Sequence, residues 1–483
     1  MTGPEVSRPV AGAPIEDAAT QQAASERPPP VQPAIDGARI AAAVPPAVGD
    51  LLKGLWGAGH AAYVVGGSLR DTLLGRPAKD WDLATDALPD ETLAVFPDAT
   101  YENKFGTVAV RREGDEFEIT TFRREHDYAD FRRPHRVEFG ASLDEDLGRR
   151  DFTVNALAWG AEPGEVPRLR DPFDGAADAA ARILRAVGEP ALRFEEDALR
   201  MLRAVRLATS LGFEIEPATL AAIRASAPLA VHLSGERVAM ELDRILATER
   251  PSVGLRLMAE TGLLGTVLPE LAAQRGVPQN KIPGDDLLDH TLRTVDAAAS
   301  NPINRLAALV HDIGKPATQA DGHFYGHETV GAEQARALLD RLHEPRAVTE
   351  RVGHLVRHHM FRYEPSWSDA AVRRFIGKVG RDALDELFAL READNIGSGV
   401  EREADGLAEL RRRVAAELDA GPVLDRSSLA VDGDDLMREL GLPAGPALGR
   451  VLEALVDRVI DEPALNEPPT LLLLARELAA ADR

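Results

Sequence analysis

Between Tyr63 and Leu83 the chain carries a succession of signals that only a small mixed α/β unit accommodates. Tyr63-Val64-Val65 is a short apolar strand running into Gly66-Gly67. Ser68 to Leu74 then reads as a helix ended by Gly75, and Trp81-Asp82-Leu83 as a second strand. Farther on, Val108 to Arg112 and Phe117 to Phe122 flank Glu113-Gly114-Asp115-Glu116, the pattern of a β-hairpin. Beyond about residue 182 the strand signals fade. Glu196 to Leu207, Glu236 to Leu246 and Asn304 to Val310 have helical spacing, separated by Gly and Pro. The expected organisation is an α+β head over 49–181, a helical neck over 182–284, a histidine-rich helical body over 285–400 and a helical tail over 401–483. Residues 1–48, Ala/Pro-rich with Pro28-Pro29-Pro30 and Pro45-Pro46, are expected to form a disordered leader.

A chain of 483 residues that is 44% hydrophobic can build several cores. No apolar run approaches the roughly 18 residues of a membrane span; Leu471 to Leu474 comes nearest and is cut by Arg476. Zero cysteines exclude disulfides, thiolate metal sites and cysteine nucleophiles. With no secretory pattern at the N-terminus, the expected compartment is the cytoplasm. A net charge of −23 argues against indiscriminate nucleic-acid binding through the overall field, so an RNA site must be regional.

Asp80 and Asp82 stand two apart, and on a strand residues i and i+2 share a face, so both carboxylates can reach one cation. Magnesium takes hard oxygen ligands of this kind, completed by substrate phosphates. Alone, such a pair is more often two solvated loop acids. The glycine pair upstream lets backbone N–H groups approach a phosphate, and Arg70 lies one turn into the following helix. Glu116, Glu118, Thr120 and Phe122 share a strand face, which makes Glu118 a candidate third carboxylate. Taken by itself, Glu118 reads as a solvent-facing strand residue.

Gly66-Gly67-Ser68-Leu69-Arg70-Asp71 through Leu74-Gly75, then Asp80-Trp81-Asp82, resembles the signature of polymerase-β-like nucleotidyltransferases. The resemblance is strongest to the bacterial branch containing CCA-adding enzymes and poly(A) polymerases. It continues in order through Arg149-Arg150-Asp151-Phe152-Thr153-Val154-Asn155-Ala156, Asp171-Pro172-Phe173-Asp174-Gly175, Glu196-Asp197-Ala198-Leu199-Arg200 and Ser234-Gly235-Glu236-Arg237. Five ordered blocks over roughly residues 60 to 245 leave little room for coincidence. The resemblance implies a two-metal magnesium mechanism in which Asp80 and Asp82 bridge the ions and Glu118 completes the site. It implies that Gly67 and Arg70 hold the triphosphate and Arg150 the nucleotide. The partners implied are tRNA, CTP and ATP, and no membrane.

Asp197 and Arg200 are i and i+3 on the expected helix, so their side chains project together. A carboxylate accepts from an exocyclic amino group while a guanidinium donates to a ring acceptor, a pattern cytosine and adenine share and guanine and uracil reverse. Such a pair is otherwise a common surface salt bridge; the resemblance gives it the base-reading role. Arg203 and Arg206 continue the spacing as nucleotide or phosphate contacts, or else line a solvated face. Residues 123–136, with five arginines around Tyr128 and Phe131, resemble the family's flexible loop beside the active site, which supports the switch from C to A addition.

Eight of twelve histidines fall between His290 and His359. His290, His311-Asp312 and Asp394 resemble the ligand order of HD-domain phosphohydrolases, with imidazole and carboxylate ligands suited to manganese, nickel or zinc. His327, His354, His358 and His359 are candidates for a second metal. The stretch from Leu429 to Leu436 with Gly445-Pro446 resembles the RNA-binding end of CCA-adding relatives, and a structural tail reads equally well. Two rivals stand beside CCA addition: a poly(A) polymerase on the same palm, and an HD hydrolase or RNA-binding protein with an inactive palm.

Overall fold

The computed structural model describes residues 33–103, 106–128, 134–279, 281–421, 425–441 and 443–481. Its head holds a seven-stranded sheet. The strands are β1 (Ala62–Val65), β2 (Asp82–Thr85), β3 (Thr100–Asn103), β4 (Thr107–Arg112), β5 (Asp115–Thr121), β8 (Ala158–Ala161) and β9 (Arg168–Arg170). Between β5 and β8 lie β6 (Arg123–Tyr128) and β7 (Pro134–Phe139), which pair only with each other. The spatial order is β3-β4-β5-β2-β1-β8-β9. Alternation along β1 sends Ala62 and Val64 to one buried face, with Leu51, Leu55 and Leu83, and Tyr63 and Val65 to the other, with Phe122 and Leu147. The β4–β5 turn is shorter than the sequence pattern suggested. Glu113 and Gly114 alone take positive φ, 56° and 94°, while Asp115 and Glu116 pair within the strand.

Ordered structure begins inside the region expected to be a leader. Helices span Pro33–Ala43 and Pro46–Gly57, and Ile40 and Val48 are wholly buried, so the boundary at residue 48 is too late. The Pro/Ala composition hid this: Pro46 occupies the first turn of its helix, where proline is tolerated, and Val48, Leu51, Leu52 and Leu55 follow at helical spacing. Residues 1–32 lie outside the described residues.

Behind the head, one continuous apolar cluster runs from Phe152 through the neck, including Met201, Leu242 and Leu264, into the body at Leu309, Leu355 and Phe388. The tail has its own small core, with Leu436, Leu455, Leu471 and Ala475 buried. It is tied to the body where Arg373 Nε donates to the Ile460 carbonyl at 2.7 Å. No helix of the described residues is long and apolar enough to cross a membrane.

Candidate active site

The Gly66-Gly67 turn is built by exclusion of side chains. Gly66 has φ of +85°, and a Cβ there would stand 3.2 Å from Arg150 Nη1 and 4.0 Å from Asp82 Oδ2. Only glycine combines that backbone with that approach. Asp82 opens β2 opposite Val65, and Asp80 precedes the strand by two residues. β2 and β5 run parallel with Leu83 opposite Ile119, which places Asp82 and Glu118 at the same end of neighbouring strands.

Two cavities meet at Asp82. One, of about 670 Å³, is lined by Lys79, Asp80, Asp82, Glu116 and Glu118. The other, of about 410 Å³, is lined by Gly66, Gly67, Arg70, Asp82, Arg150, Asn155, Asp197, Arg200, Arg203, Arg206 and Arg237. Desolvation by the surrounding protein pushes the Asp82 carboxyl above its ordinary range, with Arg150 opposing and Asp80 adding to the rise. Asp80, Asp82 and Glu118 share the first cavity without converging as closely as the histidine clusters described below. A carboxylate set of this kind fits a hard divalent cation whose remaining ligands are phosphate oxygens and water.

The arginines of the second cavity are gathered as expected, but each is already held. Arg70 donates from Nε and Nη2 to Asp71 at 3.0 Å each, and from Nη1 to Asn155 Oδ1 at 2.5 Å. Arg150 pairs with buried Asp146 at 3.4 Å, while its own Nε is buried without a hydrogen-bond partner. Arg203 donates to Asp151 Oδ2 at 2.9 and 2.6 Å, and Arg206 to the buried Glu241 at 2.5 Å. Neither lines a solvated helix face. Burial works to raise the Asp151 carboxyl, but the charge of Arg203 and bonds from Asn155 and Arg203 outweigh it and bring it down to about 2.

Asp197 and Arg200 both line the pocket, but not as neighbours on one helix. The expected continuous helix is two, Pro190–Glu196 and Leu199–Leu211, and Asp197 between them is extended with φ −146°. The break has a local cause. The Asp197 side chain accepts from the Leu199 N–H at 3.0 Å, capping the second helix instead of continuing the first. Its other oxygen accepts from Arg237 Nη2 at 2.7 Å. Arg200 donates to Glu196 at 2.6 Å and to the Arg149 carbonyl at 2.8 Å. Asp151, Asn155 and Arg237 stood in the quoted sequence blocks without an assigned role, and Glu241 had no local signal at all. The basic segment 123–136, expected as a loop, is a hairpin of β6 and β7. Its tip, residues 129–133, lies outside the described residues.

In the body, His290, His311, Asp312 and Asp394 come together. His290 Nε2 is 3.1 Å from His311 Nε2 and 3.3 Å from both Asp312 Oδ2 and Asp394 Oδ1. His327 and His359 face the other Asp312 oxygen, at 3.3 and 3.6 Å. Among the described residues, ligand atoms within 4.8 Å of one another form two groups, His290–His311–Asp312 and Asp312–His327–His359, which share Asp312. His354 and His358 do not join. His354 Nε2 bonds the Val379 carbonyl at 2.7 Å. The donor set fits metal: Nδ1 of His311, His327 and His359 each meets a backbone carbonyl at 2.7–2.9 Å, leaving Nε2 for the cluster, and His327 Nε2 is buried without a hydrogen-bond partner. Burial would raise Asp312, yet His311 and Lys315 hold it well below the usual carboxylate range.

Comparison with known proteins follows the same division of the chain. A family described as poly A polymerase head domain matches residues 62–185, one described as probable RNA and SrmB-binding site of polymerase A matches 212–275, and the HD domain matches 287–398. The CCA-adding enzyme of Geobacillus thermodenitrificans is 38% identical over 411 residues, covering 85% of this chain and 91% of that protein. The structure of the Bacillus stearothermophilus CCA-adding enzyme in complex with CTP superposes with a TM-score of 0.67 at 31% identity, covering 91% of this chain and 99% of that one. The Thermotoga maritima CCA-adding enzyme, solved in complex with tRNA, shares the fold, with a TM-score of 0.55 at 20% identity over 92% of this chain and 98% of that one.

Proposed function

The chain belongs to the CCA-adding enzyme family, and from that premise we propose how its own residues carry out the addition of C, C and A to the 3′ end of tRNA. The observation that carries the reading is that Asp82 lines both cavities. Asp80, Asp82 and Glu118 would hold magnesium, which when bound neutralises charge on the attacking and leaving oxygens. Gly67, Arg70 and Arg150 orient the triphosphate of CTP or ATP so that the RNA 3′-oxygen attacks the α-phosphorus in line and pyrophosphate leaves. Asp197 and Arg200 read the base, with Arg203 and Arg206 completing the wall. With the head taken back to Pro33 and ending at residue 181, that head and the segments 182–284, 285–400 and 401–483 are the proposed working units, and the cytoplasm is the proposed compartment.

Transfer RNA lacking its terminal CCA, incubated with CTP and ATP separately and together, tests this. Ordered addition of two C and one A is the expected result. Long A tracts from ATP alone would instead identify a poly(A) polymerase.

A second reading is favoured by the body. A cavity of about 690 Å³ beside Asp312 and Asp394 is lined by Lys281, Lys315 and Arg391, cations suited to a phosphoester. We infer that His290, His311, Asp312 and Asp394 hold a transition metal such as manganese, nickel or zinc, and that this site hydrolyses phosphoesters. Metal-loaded protein is expected to open 2′,3′-cyclic nucleotides. Asp312→Ala should lose that activity while CTP and ATP incorporation stays within about twofold. Inactivity with all three metals would remove the hydrolase reading and leave the transferase untouched.

A further inference from the structure

One connected set of polar contacts crosses the nucleotide pocket, and its middle members, Asn155 and Asp151, have no part in the reaction as described above. Asp71 holds Arg70, and Arg70 Nη1 donates to Asn155 Oδ1 at 2.5 Å. Asn155 Nδ2 donates to Asp151 Oδ1 at 3.0 Å, and Asp151 Oδ2 accepts both bonds from Arg203. The orientation of the Asn155 amide is dictated by its partners: a guanidinium only donates and an ionised carboxylate only accepts. An aspartate here would set two carboxylates against each other, and an apolar residue would leave both partners short of a bond.

The segment bearing Asn155 is itself pinned. A Cβ on Gly175 would stand 2.0 Å from the Thr153 carbonyl oxygen, so the helix Gly175–Ala181 packs directly on it. Thr153 Oγ1 donates to Asp178 at 2.7 Å, and the Phe152 N–H to Asp151 Oδ1 at 2.8 Å. Arg70 stands at the Gly67 end of the pocket. Arg203 stands on the helix Leu199–Leu211 with Arg200 and Arg206.

We propose that Asn155 is a positioning residue that ties the triphosphate-orienting Arg70 to Arg203 on the base-reading helix, so that one rigid frame sets both ends of the bound nucleotide. This rests on the reading of Arg70 and Arg203 as nucleotide contacts. Without the tie, part of the binding energy of either nucleotide goes into ordering the two arginines, which weakens binding and shows as a raised KM. Because the same frame receives CTP and ATP, losing the tie weakens both substrates together. Losing a base-reading residue would shift the choice between bases instead.

The test uses the full chain as Asn155→Ala and Asn155→Asp, assayed for CTP and ATP incorporation between about pH 5.5 and 9. The charged groups bonded to position 155 are Arg70 and Asp151, which are held in turn by Asp71 and Arg203, and Asp82, Arg149, Arg150, Asp197, Arg200, Arg206 and Arg237 line the same cavity. Asn155→Ala is expected to raise KM for CTP and ATP alike by about tenfold, with kcat within about threefold of the parent. Asn155→Asp is expected to be the poorer of the two at high pH, where its carboxylate opposes Asp151. On acidification the introduced carboxyl takes a proton, donates to Asp151 again and regains KM, while Asn155→Ala keeps a constant ratio to the parent. Asn155→Gln, which keeps donor and acceptor, is expected to stay within about threefold of the parent KM.

An Asp variant that follows the Ala variant at every pH would overturn the proposal, as would a lowered kcat with unchanged KM. If Arg70→Ala and Arg203→Ala both leave KM unchanged, the nucleotide-contact reading beneath the proposal fails. If both raise KM while Asn155→Ala does not, only the tie fails.

Discussion

Asp82→Ala is expected to lower nucleotide incorporation about a thousandfold or more, a barrier increase of at least about 4 kcal/mol, with the melting temperature moving by no more than about 2 °C. The carboxylate is exposed to the two cavities it joins, so its removal opens no hole in either apolar layer of the head. Its removal takes away the attraction to Arg150 along with the repulsion from Asp80 and the cost of desolvating the carboxylate, so the electrostatic changes oppose one another. Catalysis has no such compensation, because among the described residues no other side chain lines both the carboxylate cavity and the arginine-lined cavity. Extension of labelled tRNA lacking CCA, run beside thermal unfolding, separates the two effects. Normal turnover by the folded variant would remove Asp82 from the site.

Asp197→Asn is expected to lower kcat/KM for CTP and ATP about a hundredfold and to narrow the preference for CTP over UTP. The carboxylate already accepts from the Leu199 N–H and from Arg237. Its remaining lone pairs can accept the exocyclic amino group of cytosine or adenine. An amide keeps only one acceptor oxygen. If that oxygen stays on Leu199, an NH₂ group faces both Arg237 and the base, where two donors now oppose each other. Competition between CTP and UTP on one tRNA decides the matter. An unchanged C-to-U ratio with a general loss of rate would mean that Asp197 acts as a helix cap and not as a reader of bases.

The head was legible in the sequence wherever the controlling interactions are local. Tyr63-Val64-Val65 and Trp81-Asp82-Leu83 declare strands by their side chains, Gly66 declares a backbone other residues rarely adopt, and the i, i+2 spacing of Asp80 and Asp82 belongs to the extended chain. The boundary at residue 48 failed because the Ala/Pro-rich composition was read as disorder, although Pro46 sits where a helix begins. The continuous helix from Glu196 failed because propensity cannot weigh a side-chain cap against one more helical turn, and Asp197 takes the cap. Among the histidines, spacing could not separate His359, which turns into the cluster, from His354, which turns away to Val379.

Residue types, their spacing and the ordered motif blocks thus determined that this chain has a nucleotidyltransferase head, a closely spaced carboxylate pair, a basic helix and an HD motif. Tertiary structure alone decided which charges are available. Arg203 finds Asp151 across 52 residues, Arg206 finds Glu241 across 35, and Asp82 meets Glu118 only through the parallel pairing of β2 with β5. The physical reason is that a charged side chain acquires its role from whatever neutralises or desolvates it. Those partners are gathered by packing over distances along the chain that no local pattern records.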